Sequence, residues 1–113
     1  MQSTQAVKAL AALAQETRLA IFRLLVTRGT EGLFAGAIGE NLGISPQTLS
    51  FHLKELANAG LLAARQDGRF IIYSANYESM NNLLGFLVDN CCGGDPCTGN
   101  SICVVQKKES STT

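Results

Sequence analysis

Three local signals in close succession limit what residues 35–74 can fold into. Ala35, Ile38 and Leu42 recur at helical spacing up to Gly43, a residue that commonly ends helices. Ser45 then supplies a side-chain N-cap and Pro46 the residue favoured at the first helical position, so a second helix starts after a very short turn. Farther on, Asp67-Gly68 separates two strand-like runs, residues 61–65 and 69–74. That dipeptide is a strong hairpin signal, because a two-residue type I′ turn needs residues that tolerate positive φ.

The helix after Pro46 carries Leu49, Leu53 and Leu56 on one face with His52 at its edge, so Gln47, Thr48, Ser50, Phe51 and Lys54 point away from the core. Upstream, Val7, Leu10, Ala11 and Ala14, then Ile21, Leu24 and Leu25, predict two helices that end at Gly29 and belong mainly to the core. Downstream, Asn76 is placed to cap a last helix with Met80, Leu83, Leu84, Leu87 and Val88 on one stripe. Cys91 falls next on that stripe, and Gly93-Gly94 and Asp95-Pro96 are expected to stop the helix. The expected architecture is mainly α with a small β-hairpin. A domain over residues 1–103 is followed by a tail, 104–113, polar from Gln106 onward and expected to be disordered.

Helix, glycine turn, helix and hairpin form the order of a winged helix-turn-helix, whose second helix enters the major groove of DNA while the hairpin lies against the backbone. Gln47, Thr48 and Ser50 can exchange hydrogen bonds with base edges or phosphates, and Lys54, Arg65 and Arg69 can offset phosphate charge, the two arginines from the hairpin tip. The exposed Phe51, between Ser50 and Lys54, is counted with these DNA-binding candidates. Nine basic and nine acidic residues cancel over the chain, which excludes a strongly basic coat. One copy should therefore bind weakly. A homodimer formed through the first and last helices would double the phosphate contacts and present two recognition helices to successive grooves. The chain has no apolar stretch near the length that spans a bilayer, and no membrane partner is expected. The four cysteines, Cys91, Cys92, Cys97 and Cys103, crowd into one segment instead of being spread as a disulfide framework would be. A reducing cytoplasm and a metal or metalloid ligand suit that clustering.

Glu16-Thr17-Arg18-Leu19-Ala20-Ile21, Leu42-Gly43-Ile44-Ser45, Thr48-Leu49-Ser50-Phe51-His52-Leu53-Lys54, Gly60-Leu61-Leu62 and the hairpin from Asp67-Gly68-Arg69 to Tyr73 resemble the ArsR/SmtB family of dimeric metal-responsive repressors. The resemblance covers about residues 5–90 and is most specific in the helix-turn-helix portion. It implies that Gln47, Thr48, Ser50 and His52 lie in the recognition helix, with Arg65 and Arg69 on the wing. The wheel position of His52 fits a half-buried structural histidine equally well.

Members of that family place inducer sites in different parts of the scaffold. Cysteines at the start of the third helix are absent from Gly32-Leu33-Phe34-Ala35-Gly36, and a histidine-rich zinc site cannot be built with His52 as the single histidine. The segment from Asn90 to Cys97 resembles the C-terminal cysteines of some arsenic-responsive members. Trivalent arsenic or antimony takes three sulfurs in a pyramid, so Cys91, Cys92 and Cys97 suffice as ligands of As(III) or Sb(III), with Cys103 a replacement or additional thiol. Zinc ranks lower because adjacent Cys91 and Cys92 lack the gap usual within a ligand pair. Cadmium, mercury, copper(I) and thiol oxidation stay open as alternatives. An enzyme is not expected: there is no Cys-x-x-Cys, no phosphate-cradling glycine loop and no histidine near the cysteines in sequence. A metalloid buffer or protein-interaction module that keeps the winged fold without specific DNA binding is the third class the sequence admits.

Overall fold

The computed structural model describes residues 1–89. Within them the order is α1 (Ser3–Leu13), α2 (Glu16–Thr27), a 3₁₀ turn (Gly29–Glu31), β1 (Leu33–Phe34), α3 (Ala35–Leu42), α4 (Pro46–Asn58), β2 (Leu62–Asp67), β3 (Phe70–Ala75) and α5 (Tyr77–Leu87). This is a winged helix-turn-helix, mainly α, with its wing at one edge.

The local signals act as expected. Gly43 ends α3 in the left-handed region, at φ 66°, and its neighbour's amide, Ile44 N–H, returns to the Gly39 carbonyl at 3.0 Å. Ser45 caps α4 and Pro46 opens it. The Asn76 side chain accepts from the Ser79 amide at 3.2 Å to cap α5 and donates to the Gly60 carbonyl at 3.1 Å, so the same residue fastens α5 to the end of α4.

The sheet is larger than a hairpin. The strand order is β1-β3-β2, all antiparallel, with Leu33 opposite Tyr73 and Phe34 opposite Ile72. The hairpin loop also sits one residue later than expected: Asp67 pairs with Phe70, leaving Gly68 and Arg69 as the loop. On the outer face of the wing Phe34 and Phe70 meet at a ring-centroid distance of 5.1 Å.

The core is centred on Ile21, Leu25, Ile38, Leu56 and Leu61, each fully buried. Two helices depart from the expected pattern. In α1 the buried face is Ala6, Ala9 and Ala12, while Val7 is 63% and Leu10 41% exposed. Alanines let α1 lie close to α2, α4 and α5, and that approach turns the larger Val7 and Leu10 outward. In α5 Leu83 is buried, yet Phe86 and Leu87 are exposed. The helix ends at Leu87, where the Val88 amide still reaches the Leu84 carbonyl and that of Asp89 turns in to Phe86, ahead of the expected stop at Gly93-Gly94. Cys91, Cys92, Cys97, Cys103 and the tail lie outside the described residues.

Gly32 links the 3₁₀ turn to β1 at φ +67°, and a Cβ there would collide with the Tyr73 carbonyl across the sheet. Gly29 has a similar φ of +64° with nothing near its would-be Cβ. Gly32→Ala is therefore expected to cost more than about 2 kcal/mol and Gly29→Ala about 1 kcal/mol. Urea denaturation at equal protein concentration checks the order; equal losses would mean that the close approach of β1 to β3 contributes nothing.

Candidate nucleic-acid interface

The α4 backbone starts from Ser45, whose φ of −67° and ψ of 153° aim its side chain back over the first turn. Its Oγ accepts from the Thr48 amide at 3.4 Å and donates to the Thr48 hydroxyl at 3.0 Å. The Thr48 hydroxyl thus keeps its own proton to donate outward. From this start the helix has two faces. Leu49, Leu53 and Leu56 are no more than 3% exposed, and Gln47, Thr48, Ser50, Phe51 and Lys54 are all on the outside. At about 100° per residue, Gln47, Phe51 and Lys54 form a stripe opposite the buried leucines.

His52 does not join them. It lies in α4 but faces inward, 8% exposed, and its Nδ1 stands 3.4 Å from Arg18 Nη1 of α2. With the guanidinium as donor, Nδ1 is the acceptor and the ring proton resides on Nε2. Arg18 Nε in turn donates to the Ala12 carbonyl at the end of α1, at 2.7 Å, and the Arg18 amide is bonded by the Gln15 side chain at 2.8 Å. Arg18 thereby joins α1, α2 and α4 behind the exposed stripe. Nothing in the sequence around Arg18, from Glu16 to Ile21, marks it for this part. Its partner lies 34 residues away, and no local pattern signals that pairing.

The two wing arginines also separate. Arg69 occupies the hairpin loop. Arg65 is set back along β2, opposite Ile72, and its guanidinium donates to the carbonyls of Thr30 and Glu31 at 3.0 Å each. The 3₁₀ turn at residues 29–31 leaves carbonyls without helical partners, and Arg65 satisfies two of them. The expectation that both arginines crown the tip is corrected: Arg69 does, and Arg65 ties the wing to the end of α2.

Among the described residues no three His, Cys, Asp or Glu side chains converge as a metal site, and no buried side-chain polar atom lacks a hydrogen-bond partner. No helix among them is long and apolar enough to cross a membrane.

Residues 13–65 match the helix-turn-helix domain family. The chain is 43% identical over 77 residues to the helix-turn-helix transcriptional regulator YceK of Bacillus subtilis, covering 67% of this chain and 76% of that one. The chain belongs to the helix-turn-helix transcriptional regulators. Its winged fold is that of the ArsR-like members: an ArsR-like regulator from Rhodococcus superposes with a TM-score of 0.68 at 28% identity, over 74% of this chain and 76% of that one. The homodimeric winged helix-turn-helix DNA-binding domain Mb0332 of Mycobacterium bovis gives 0.62 at 27% identity, over 81% and 85%. In this regulator α4 occupies the position of the recognition helix and β2-β3 that of the wing.

If Arg18 and His52 act together in holding α4, each of Arg18→Ala and His52→Ala should lower stability by about 1–3 kcal/mol, and the double change should cost clearly less than the sum. Urea titrations of the three variants measure the coupling. Additive losses would show that the two side chains stabilise α4 independently.

Proposed function

We propose that this regulator is a cytoplasmic repressor that binds operator DNA as a homodimer and is released when trivalent arsenic or antimony binds its C-terminal cysteines. The observation that carries the DNA-binding part is the outward stripe of α4, polar and cationic except for Phe51, next to a wing whose loop carries Arg69. Gln47, Thr48 and Ser50 are suited to base edges or phosphates and Lys54 and Arg69 to phosphates. Arg65 fixes the wing and offers its charge nearby, and His52 supports the helix from behind.

The apolar side chains that the single chain leaves outside support the homodimer. Val7 and Leu10 on α1 and Phe86 and Leu87 on α5 are exposed, and α1 packs against α5. Both helices can thus contribute to one surface. Covering it with a second copy removes apolar area from water and brings two α4 helices into one particle. The winged-helix domain Mb0332, a structural neighbour, is itself homodimeric. A dimer also answers the charge problem, since a chain of net charge zero gains phosphate contacts only by doubling them.

The inducer is read from the donor set. Cys91, Cys92 and Cys97 supply three thiols within seven residues, shortly after the helix that belongs to the proposed dimer surface, with Cys103 a fourth. Sulfur ligands select soft ions, and three satisfy As(III) or Sb(III). Ligand binding at that place constrains the chain that continues from α5 and so biases the dimer geometry. A coupling of the usual size would lower DNA affinity about tenfold to hundredfold.

A gel shift of reduced protein on the DNA upstream of its own coding sequence, titrated with arsenite, antimonite, Cd(II), Hg(II), Cu(I), Zn(II) and a thiol oxidant, tests the reading. Arsenite and antimonite should release the DNA. Cys91→Ser, Cys92→Ser and Cys97→Ser should each abolish release with unchanged affinity in the absence of inducer, and Cys103→Ser shows whether the fourth thiol takes part. Release by another agent alone would replace the inducer, and failure to bind at low salt would end the repressor assignment. Separately, Val7→Glu combined with Leu87→Glu should shift sedimentation from dimer to monomer and weaken operator binding more than tenfold, since two half-sites no longer act together; a variant that still sediments as a dimer would move the interface elsewhere.

A further inference from the structure

An exposed phenylalanine at the centre of a recognition helix calls for a partner. Phe51 is 57% exposed, one turn beyond Gln47 and just short of one turn before Lys54 on the stripe opposite the buried leucines. The elements packed against α4 are α1, α2, α3 and β2, and together they leave that stripe uncovered. The ring is also held in place from behind. It meets the ring of His52 edge-on at a centroid distance of 5.4 Å, and His52 is itself held by Arg18.

In the major groove nearly everything a side chain can reach is a hydrogen-bond donor or acceptor: N7 and O6 of guanine, N7 and the amino group of adenine, the amino group of cytosine and O4 of thymine. A phenyl ring set against any of these would strip water from a polar atom and return no hydrogen bond. The one apolar group displayed there is the C5-methyl of thymine. Gln47 and Lys54, on either side of Phe51, bring the hydrogen bonds and charge that hold the helix in the groove. The ring is left to fill the apolar position between them.

Resting on the DNA-binding reading above, we infer that Phe51 is a specificity-determining residue that reads the C5-methyl group of a thymine in each operator half-site. Burial of one methyl against the ring gives the expected size of the effect. Removing it should weaken binding about fourfold per half-site and, with both changed, about fifteenfold.

The test uses uracil, which pairs as thymine does and differs only in lacking that methyl. Thymines of the footprinted upstream DNA are replaced by uracil one at a time, and the affinities of the full-length protein and of Phe51→Ala and Phe51→Leu are measured by fluorescence anisotropy. The expected result is one or two thymines per half-site at which uracil weakens the natural protein about fourfold, a penalty that vanishes in Phe51→Ala and is partly retained in Phe51→Leu. Because Phe51 is exposed, both variants should keep the far-UV circular dichroism of the natural protein. The comparison between proteins also removes any effect of uracil on DNA shape, which would act on all three alike. Intact operator binding with no thymine sensitive to uracil would overturn this inference alone, as would a penalty undiminished in Phe51→Ala. Absence of any specific binding would overturn the DNA-binding reading and this inference with it.

Discussion

The rotation of α4 about its own axis is the constraint on which the rest of the molecule depends. Leu49, Leu53 and Leu56 hold one face of the helix in the core. Each such side chain is worth about 1.5–3 kcal/mol on burial, so a turn of the helix by one residue, which would expose them and draw Gln47 or Phe51 inward, is prohibitive. His52 adds direction to that burial. An apolar face alone tolerates some rolling, whereas a ring nitrogen opposite a guanidinium that is itself bonded to the Ala12 carbonyl allows much less. The outward stripe is therefore positioned from inside, by contacts reaching back to α1 and α2, before any DNA is present.

The wing is held by a comparable arrangement. β1 contributes only Leu33 and Phe34, but it brings the end of the α2 connection into the sheet beside β3, and Arg65 joins β2 to the same connection by two hydrogen bonds. The tip with Arg69 thus projects from a base fastened at two places. Recognition helix and wing are both referred to α2, through Arg18 in one case and through residues 29–34 in the other. Their separation is accordingly a property of the packed domain and not of a free hairpin.

What could be read from the sequence, and what could not, follows the range of each interaction. The glycine that ends α3, the serine and proline that start α4, the asparagine that caps α5 and the hairpin all act within a few residues, and each is legible in a short window. β1 is two residues long and carries no periodic pattern, so its pairing with Tyr73 and Ile72 had no local sign. Arg65 was legible as a cation and not as a fastener, because its acceptors lie 34 and 35 residues upstream. The loop slipped by one residue for a related reason: Asp67-Gly68 marks a hairpin, but the register comes from the whole β2-β3 ladder, which pairs Asp67 with Phe70. Of the candidate interface, the exposed side of α4 was legible in full. The inward setting of His52 was one of the two readings its wheel position allowed, whereas its pairing with Arg18, 34 residues away, had no local sign.

α1 shows a different limit. Val7, Leu10, Ala11 and Ala14 have helical periodicity, and a periodic apolar stripe says that something covers it without saying whose chain does so. The structure gives the intramolecular contact to Ala6, Ala9 and Ala12, which permit close approach, and leaves the larger residues outside. Small side chains suit a contact made once within a domain, because they bring backbones together. Large exposed ones suit a second surface, because they carry the area that association requires. In the proposed dimer that surface would be shared with α5, whose last turn exposes Phe86 and Leu87 immediately ahead of the segment bearing the cysteines. A chain of net charge zero would have little phosphate attraction to hold it on DNA once the two recognition helices of the proposed dimer lost their spacing. In the proposed mechanism, neutrality and a cysteine site next to the dimer surface would work in the same direction: the fewer the contacts that are indifferent to geometry, the smaller the change in geometry needed to release the operator.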